Sequence, residues 1–313
     1  MSISSQSITD TLKSLDIQAG VIPALTCKKL CKKFEISIEN LMIALLPIAC
    51  QYAKMPVSNF CVGAVVKGRA KVELNDDNSG YADLYLGANI EFENQALCHS
   101  IHAEQAAISI AWQAGENEIS SIATSAVPCG HCRQFLYEIS AGKALSILTP
   151  DSSSSTSLSY ESKDISLVLP DAFGPADLNC KYLFMQTNPE TDSSIFIEGK
   201  PDALEQQGIL TANESYAPYT GNIAGCSVIL KDGNIFSGRT IENAAFNPSL
   251  LAFSAVIIQL VMAHQSGYCI GKIFDSVVRV ILVERPKKSS QKDLTKLLLA
   301  ACRPDLELDY HAG

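Results

Sequence analysis

Nothing in the chain stays apolar for long enough to cross a bilayer. The longest such run, near Leu41 to Cys50, falls well short of the roughly 20 residues that a spanning helix needs. The first residues, Met1-Ser2-Ile3-Ser4-Ser5-Gln6, carry no basic patch followed by an apolar core. A secretory signal is therefore not expected, and a cytoplasmic location is. An ordered cysteine framework is missing too. The 11 cysteines are odd in number and irregularly scattered, which excludes a disulfide scaffold and fits free thiols in a reducing compartment. Basic residues are scarce beside acidic ones, 24 Lys and Arg against 33 Asp and Glu, for a formal net charge of -9. Binding a polyanion requires clustered cations that displace its counterions, so a nucleic-acid strand is not an expected partner. What remains is an ordinary globular composition, 47% hydrophobic and 18% charged, on 313 residues, a length that suggests two domains.

The first fifty or so residues read as helical. Ile8, Leu12, Leu15 and Ile17 recur at helical spacing, Pro23 interrupts, and Ser37-Ile38-Glu39-Asn40 offers a cap at Asn40 for an apolar helix from Leu41. Cys27 and Cys31 have metal-ligand spacing but no second ligand pair nearby. With Lys28, Lys29, Lys32 and Lys33 beside them, they read better as part of a solvated helix face. From Phe60 the period changes to strands. The expected order is a strand over Val62–Val66, the turn-rich Asn75–Gly80, a strand over Tyr81–Leu86, and a helix from Ile101 to Trp112 capped by Ser100. A strand at Ile122–Val127, a helix opened by Cys129, and a strand at Leu145–Leu148 follow, an alternation that predicts an α/β fold. Asp151–Ser157 reads as a surface loop, and the polar stretch from Gln186 with the Pro201 region reads as a linker. An internal repeat comes next. Tyr216–Tyr219, Gly225–Gly233 and Ser237–Asn243 parallel Pro56–Glu91, and Asp232-Gly233 signals a hairpin. Past Glu242 the copy loses its polar residues, with Leu251-Ala252-Phe253 aligned on His102-Ala103-Glu104 and Val283–Lys287 aligned on the later cysteine motif.

Chemistry concentrates in two stretches, Ile101–Ala107 and Ala126–Gln134. His102, Cys129 and Cys132 form a His/Cys/Cys zinc ligand set. Three protein ligands leave a fourth tetrahedral position for water, which a catalytic zinc needs. Water on such a metal loses a proton near neutral pH. Glu104, two residues past His102, is near enough to exchange protons with it. Both cysteines lie at an expected helix start, where the dipole favours thiolates. Arg133 is expected to donate to a thiolate sulfur as outer support. A structural site would need a fourth ligand, for which His131, His99 and Cys98 are the candidates.

His-x-Glu followed by Pro-Cys-x-x-Cys is the known signature of zinc deaminases. Together with Ser58–Ala64, Gly87–Phe92, Leu169–Pro175 and Glu242–Pro248, the chain from about Leu45 to about Leu294 resembles the two-domain, homodimeric branch of the cytidine deaminase family. The resemblance implies a duplicated three-layer α/β/α sandwich, a catalytic domain plus a degenerate copy. Its expected divisions are an N-terminal helical segment over 1–47, a catalytic domain over 48–185, a linker over 186–210, and a copy without metal over 211–313. It implies one Zn2+ per chain, held by His102, Cys129 and Cys132. The reaction it implies is hydrolytic deamination of cytidine and deoxycytidine to uridine and deoxyuridine. Zinc-activated hydroxide attacks C4, and Glu104 shuttles the protons. Asn89 and Glu91 match the pair that binds the ribose 3′-hydroxyl. Phe60 resembles the ring beside the base, and the backbone at Ala103 the group that holds the base edge. Phe173 closes the pocket, and Phe246, with Ala245, reaches the pocket of the partner subunit. Two other readings compete: a polynucleotide deaminase, disfavoured by acidity and the ribose pair, and an inactive binding protein, disfavoured by the intact His102, Glu104, Cys129 and Cys132.

Overall fold

The computed structural model describes residues 5–15, 17–70, 81–140, 144–151, 153, 158–180, 182–185, 195, 199–264 and 267–313. The loop expected at 75–80, most of the serine run at 152–157 and the polar stretch at 186–194 lie outside the described residues. The chain divides into two units: Met1–Ile90 with Ile101–Ala172, and Glu91–Ser100 with Phe173–Gly313.

The first unit opens with helix α1 (Ser5–Lys13), a short strand β1 (Val21–Ile22), α2 (Ala24–Phe34) and α3 (Ile38–Cys50). The N-terminal segment is therefore not purely helical. β1 pairs antiparallel with β3 (Ala82–Ala88) and adds an edge to the sheet. The cap of α3 also differs from the sequence expectation. Ser37 is the N-cap, and its side chain accepts from the Asn40 N–H, three residues on, where an oxygen on the N-cap can reach. Asn40 instead donates its side-chain amide to the Leu158 carbonyl. α3 is buried nearly all round, with Leu41, Met42, Leu45 and Ala49 inaccessible, because its apolar residues span more than one face.

β2 (Gly63–Ala70) and β3 lie at the centre, followed by α4 (Ala103–Gln113), β4 (Ser121–Thr124), α5 (Gly130–Ser140), β5 (Ser146–Pro150), β6 (Tyr160–Asp164) and the short α6 (Ile165–Val168). The sheet order is β1-β3-β2-β4-β5-β6, with β4 and β5 parallel and the other neighbours antiparallel. The polar sequence of β6, Tyr-Glu-Ser-Lys-Asp, hides it from hydrophobic periodicity. It is an edge strand that needs little burial. Two glycines show how the layers form. A Cβ on Gly63 would lie 2.7 Å from the Leu46 carbonyl of α3, and one on Gly87 would lie 2.2 Å from the Ala107 nitrogen of α4. Gly87 pairs with Ala64, the neighbour of Gly63, so the two glycines face opposite sides of the sheet. α3 and α4 therefore cover opposite faces, giving three layers. Trp112, the only tryptophan in the chain, is buried near the end of α4.

The second unit repeats this plan. It contains α7 (Ala203–Asn213), β7 (Ala224–Leu230), β8 (Ile235–Arg239), α8 (Ala252–Ala263), α9 (Ile270–Phe274), β9 (Val277–Glu284), α10 (Lys292–Cys302) and β10 (Leu308–Ala312). Residues 203–210, read from sequence as part of a linker, are helical. The sheet order β10-β9-β7-β8 matches β5-β4-β2-β3, including the parallel β9–β10 pair. The close approaches recur as well. A Cβ on Gly225 would lie 2.3 Å from the Ala212 nitrogen of α7, and one on Gly238 would lie 2.5 Å from the Val256 nitrogen of α8. Isolated bridges repeat in the same way: Lys54–Ile90–Ile101 in one unit and Tyr216–Ile241–Leu250 in the other.

Candidate metal centre and active site

The site is built at the N-termini of α4 and α5. His102 is the N-cap of α4, not Ser100 as the sequence suggested. The reason is the residue between them. Ile101 exchanges both backbone hydrogen bonds with Ile90, at 2.9 and 2.8 Å, so the chain is still extended there and cannot turn helical until His102 has passed. Gln105 closes the cap by accepting from the His102 N–H at 3.2 Å. That residue drew no functional reading from the sequence, although an N-cap followed three positions later by Glu or Gln is a recognised helix start. Cys129 flanks α5 and Cys132 lies in its first turn.

The three ligand atoms converge. Cys129 Sγ and Cys132 Sγ are 3.7 Å apart, and His102 Nδ1 is 3.6 Å from the first and 3.2 Å from the second. Tetrahedral zinc, with bonds of about 2.3 Å to sulfur and about 2.0 Å to nitrogen, places its sulfurs about 3.8 Å apart and each about 3.5 Å from the nitrogen. The residues present fit that ion. Among the described residues they are the one such group of potential ligands. His131, Cys98 and His99 do not join it. The His131 ring instead stacks on that of His102, with centroids 4.7 Å apart and planes 20° from parallel.

Charge is shared unevenly between the two thiols. Cys129 is lowered to about 3, chiefly by the hydrogen bond from Cys132 and then by the one with His102. Cys132 is pushed strongly upward by the same hydrogen bond and by burial. Zinc binds cysteine as thiolate, so metal entering here would displace any proton the two sulfurs share. Glu104 is 3% exposed. Burial raises its pKa, opposed by its own backbone N–H and by the Cys132 thiol beside it. A carboxyl held in this way can gain and lose a proton nearer neutrality. Arg133 does not reach a sulfur. Its Nε donates to the Pro128 carbonyl at 2.9 Å and its NH1 to the Val168 carbonyl at 3.0 Å, so it fixes the approach to α5 instead.

Asn89 stands just past β3. Its Oδ1 accepts from the Val62 N–H at 2.8 Å, and its Nδ2 donates to the Phe60 carbonyl at 3.0 Å. The amide therefore holds the loop that carries Phe60, a residue that is 60% exposed. Glu91, Phe173 and Phe246 fall in the other unit. Phe173 is exposed, and Phe246 is exposed with its ring 6.4 Å from that of Tyr219 and its backbone in the left-handed region at φ 63°.

The second unit has the frame without the ligands. By the repeated bridges and helix caps, Leu251 occupies the place of His102 and Phe253 that of Glu104, as the sequence alignment had them. The place of Cys129 is different. By topology α10 matches α5, and its N-cap is Gln291, five residues beyond Pro286. The Gln291 side chain accepts from the Ala252 N–H at 3.0 Å and donates to Thr240 Oγ1 at 2.5 Å. Behind it the buried Glu284 accepts from Asn222 Nδ2 and the Gln291 N–H, both at 2.9 Å, and from Ser290 and Tyr310 hydroxyls. An amide and a carboxylate tie together the two helix starts that a metal would tie in the first unit.

Residues 36–147 and residues 165–296 each match the family described as the cytidine and deoxycytidylate deaminase zinc-binding region. Cytidine deaminase of Vibrio parahaemolyticus is 37% identical over 93% of this chain and 89% of its own length. That of Haemophilus influenzae is 35% identical over 98% of this chain and 94% of its own, and that of Shewanella amazonensis 40% identical over 85% and 79%. A crystal structure of cytidine deaminase from Burkholderia pseudomallei aligns over 42% of this chain and 97% of that chain, with 26% identity and a TM-score of 0.33. With two matched regions and relatives aligned along nearly its whole length, the chain belongs to the cytidine and deoxycytidylate deaminase family.

Proposed function

We propose that the protein converts cytidine and deoxycytidine to uridine and deoxyuridine with release of ammonia, using one zinc ion per chain. The observation that carries the reading is the buried Glu104 beside three ligand atoms spaced for tetrahedral zinc. Zinc bound there supplies a water acidified enough to act as the nucleophile at C4. Glu104 takes the proton from that water, delivers one to N3 of the pyrimidine, and protonates the departing ammonia. Its burial-raised pKa suits a group that must act as base and then acid. The Ala103 N–H lies in the first turn of α4, where it has no helical acceptor and is free to hold the base edge. Asn89 spends one amide hydrogen on Phe60 and keeps one for a sugar hydroxyl. Glu91 is the second sugar ligand in this reading, and Phe60 and Phe173 border the base.

The acidic net charge of -9 disfavours a nucleic-acid strand as substrate. No helix among the described residues is long and apolar enough to cross a membrane. The free thiols suit the cytoplasm, which fractionation of cells would test. The active form is a homodimer with a shared site. Its support is the exposure of three large rings, Phe60, Phe173 and Phe246, which a second copy would cover. The test of the activity is metal analysis combined with the loss of cytidine absorbance. One zinc per chain, turnover lost on chelation and regained with zinc, is the expected result. A zinc-loaded protein that leaves cytidine and deoxycytidine unchanged overturns the reading.

A further inference from the structure

His102 reaches the two sulfurs only when its ring lies in one plane. The torsion that sets this plane, χ2, has broad wells and does not choose it unaided. A ligating histidine is usually fixed through its far ring nitrogen, which donates to a carboxylate or a carbonyl. Among the described residues that support is missing. The His102 ring meets only sulfur through hydrogen bonds, with Nδ1 lying 3.6 Å from Cys129 Sγ and 3.2 Å from Cys132 Sγ. What the ring does have is a second imidazole against its face. The His131 ring lies with its centroid 4.7 Å away and its plane 20° from parallel, within the roughly 4.5–7 Å over which aromatic rings pair. His131 belongs to the first turn of α5, between Cys129 and Cys132. Its Nε2 is buried without a hydrogen-bond partner among the described residues, so no bond from that atom places the ring. It offers His102 a flat surface.

We propose that His131 is a positioning residue for the metal: its ring holds the plane of His102 and so aims Nδ1 at the zinc. The inference rests on the zinc site of the reading above. Turning His102 about χ2 would drive one edge of its ring toward His131 and lift the other away. The stack therefore resists the rotation that carries Nδ1 off the metal. The turn of α5 that presents the sulfurs thus also orients the third ligand. Gln105 secures the other end of that ligand, accepting from the His102 N–H at 3.2 Å. Backbone and ring are held by different neighbours, one on α4 and one on α5. Because the support is a face and not a hydrogen bond, an apolar ring at position 131 should replace it. A polar side chain without a ring should not.

The test compares the parent with His131→Ala, His131→Asn and His131→Phe. Each is prepared free of metal, and its folding is checked by circular dichroism and thermal unfolding. Zinc affinity is then measured by competition with a chelator. Cobalt is substituted in a second series, because its visible bands report the geometry of the ligands. Loss of an outer partner of a metal ligand typically weakens binding by about 10–100-fold. His131→Ala and His131→Asn should fall in that range and should change the cobalt bands. His131→Phe should recover most of the affinity and the parent spectrum. Parent-like affinity and spectrum in His131→Ala overturn the proposal, and so does full recovery by His131→Asn, which would assign the role to a hydrogen bond. A His131→Phe protein that folds as the parent does yet binds zinc as weakly as His131→Ala also overturns it. Should His131→Phe not fold, the other two variants decide by the same measures. A parent that holds no zinc overturns the zinc reading and this proposal with it, whereas a zinc-binding parent matched by His131→Ala overturns this proposal alone.

Discussion

At the scale of single residues, the proposed reaction asks one carboxyl, Glu104, to change protonation within each cycle. Glu104→Ala should keep one zinc per chain and still bind nucleoside, yet lose turnover by several orders of magnitude, because one group serves more than one proton step. Steady-state rates alongside metal analysis check this, and a variant with a tenth of the parent rate would falsify the role. Asn89 holds the Phe60 loop through both ends of its amide, and in the proposed function it also serves the sugar. Asn89→Ala should therefore weaken cytidine far more than free cytosine, since only the nucleoside loses a hydroxyl partner. Equal losses for nucleoside and base would assign Asn89 to the loop alone. The convergence of His102, Cys129 and Cys132 was legible from spacing, because a metal site demands particular atoms whatever surrounds them. The grip of Asn89 on Phe60 and Val62 was not, since it depends on two strands meeting from 27 residues apart. The true partners of Arg133 were hidden for the same reason: carbonyl groups leave no mark in a sequence.

At the scale of elements, the position of α4 decides the position of His102. Gly87 lets that helix touch the sheet, and a methyl group there would press on Ala107 and Ala103. Gly87→Ala should cost about 1–3 kcal/mol of stability as an overpacking change, and it should lower zinc affinity because the His102 end of α4 moves. Thermal unfolding and competition with a chelator measure the two effects. α3 is secured differently, by Lys67 of β2 with its Nζ 2.9 Å from Glu39 Oε1. Burial works to raise the Glu39 pKa, but the hydrogen bond and charge of Lys67, with the local backbone and Ser37, outweigh it and leave it lowered. A carboxyl depressed on folding adds stability above its unfolded pKa of about 4.3, and that stability is lost as pH falls through the lower folded value. The melting-temperature gap between the parent and Glu39→Gln should hold at neutral pH and shrink below about pH 4.3; a gap that stays constant down to acid unfolding would remove the ion pair from the account. Strands with alternating or continuous apolar residues were readable in advance, whereas polar β6 and the two-residue β1 were not, because edge strands carry little periodicity.

At the scale of the whole molecule, a copy of the fold is retained without its metal chemistry. Gln291 and Glu284 satisfy its helix starts internally, so the second unit needs no ion to stay folded. If its value lies in assembly, Phe246 should act on a neighbouring chain. Mixing inactive Glu104→Ala with a disabled Phe246 variant should then restore part of the activity after subunit exchange, since one site in the mixed dimer keeps both residues. No recovery in a verified mixed dimer would place Phe246 within its own chain's site. One further property follows from where the single indole lies. Trp112 is nine residues along the helix that starts with Ala103, and no other tryptophan exists in the chain. Intrinsic fluorescence excited at the red edge is thus a private channel for α4: it reports the seating of the metal-bearing helix and is silent to the second unit. Stopped-flow emission during zinc capture can time the ordering of one helix in a 313-residue protein without any label.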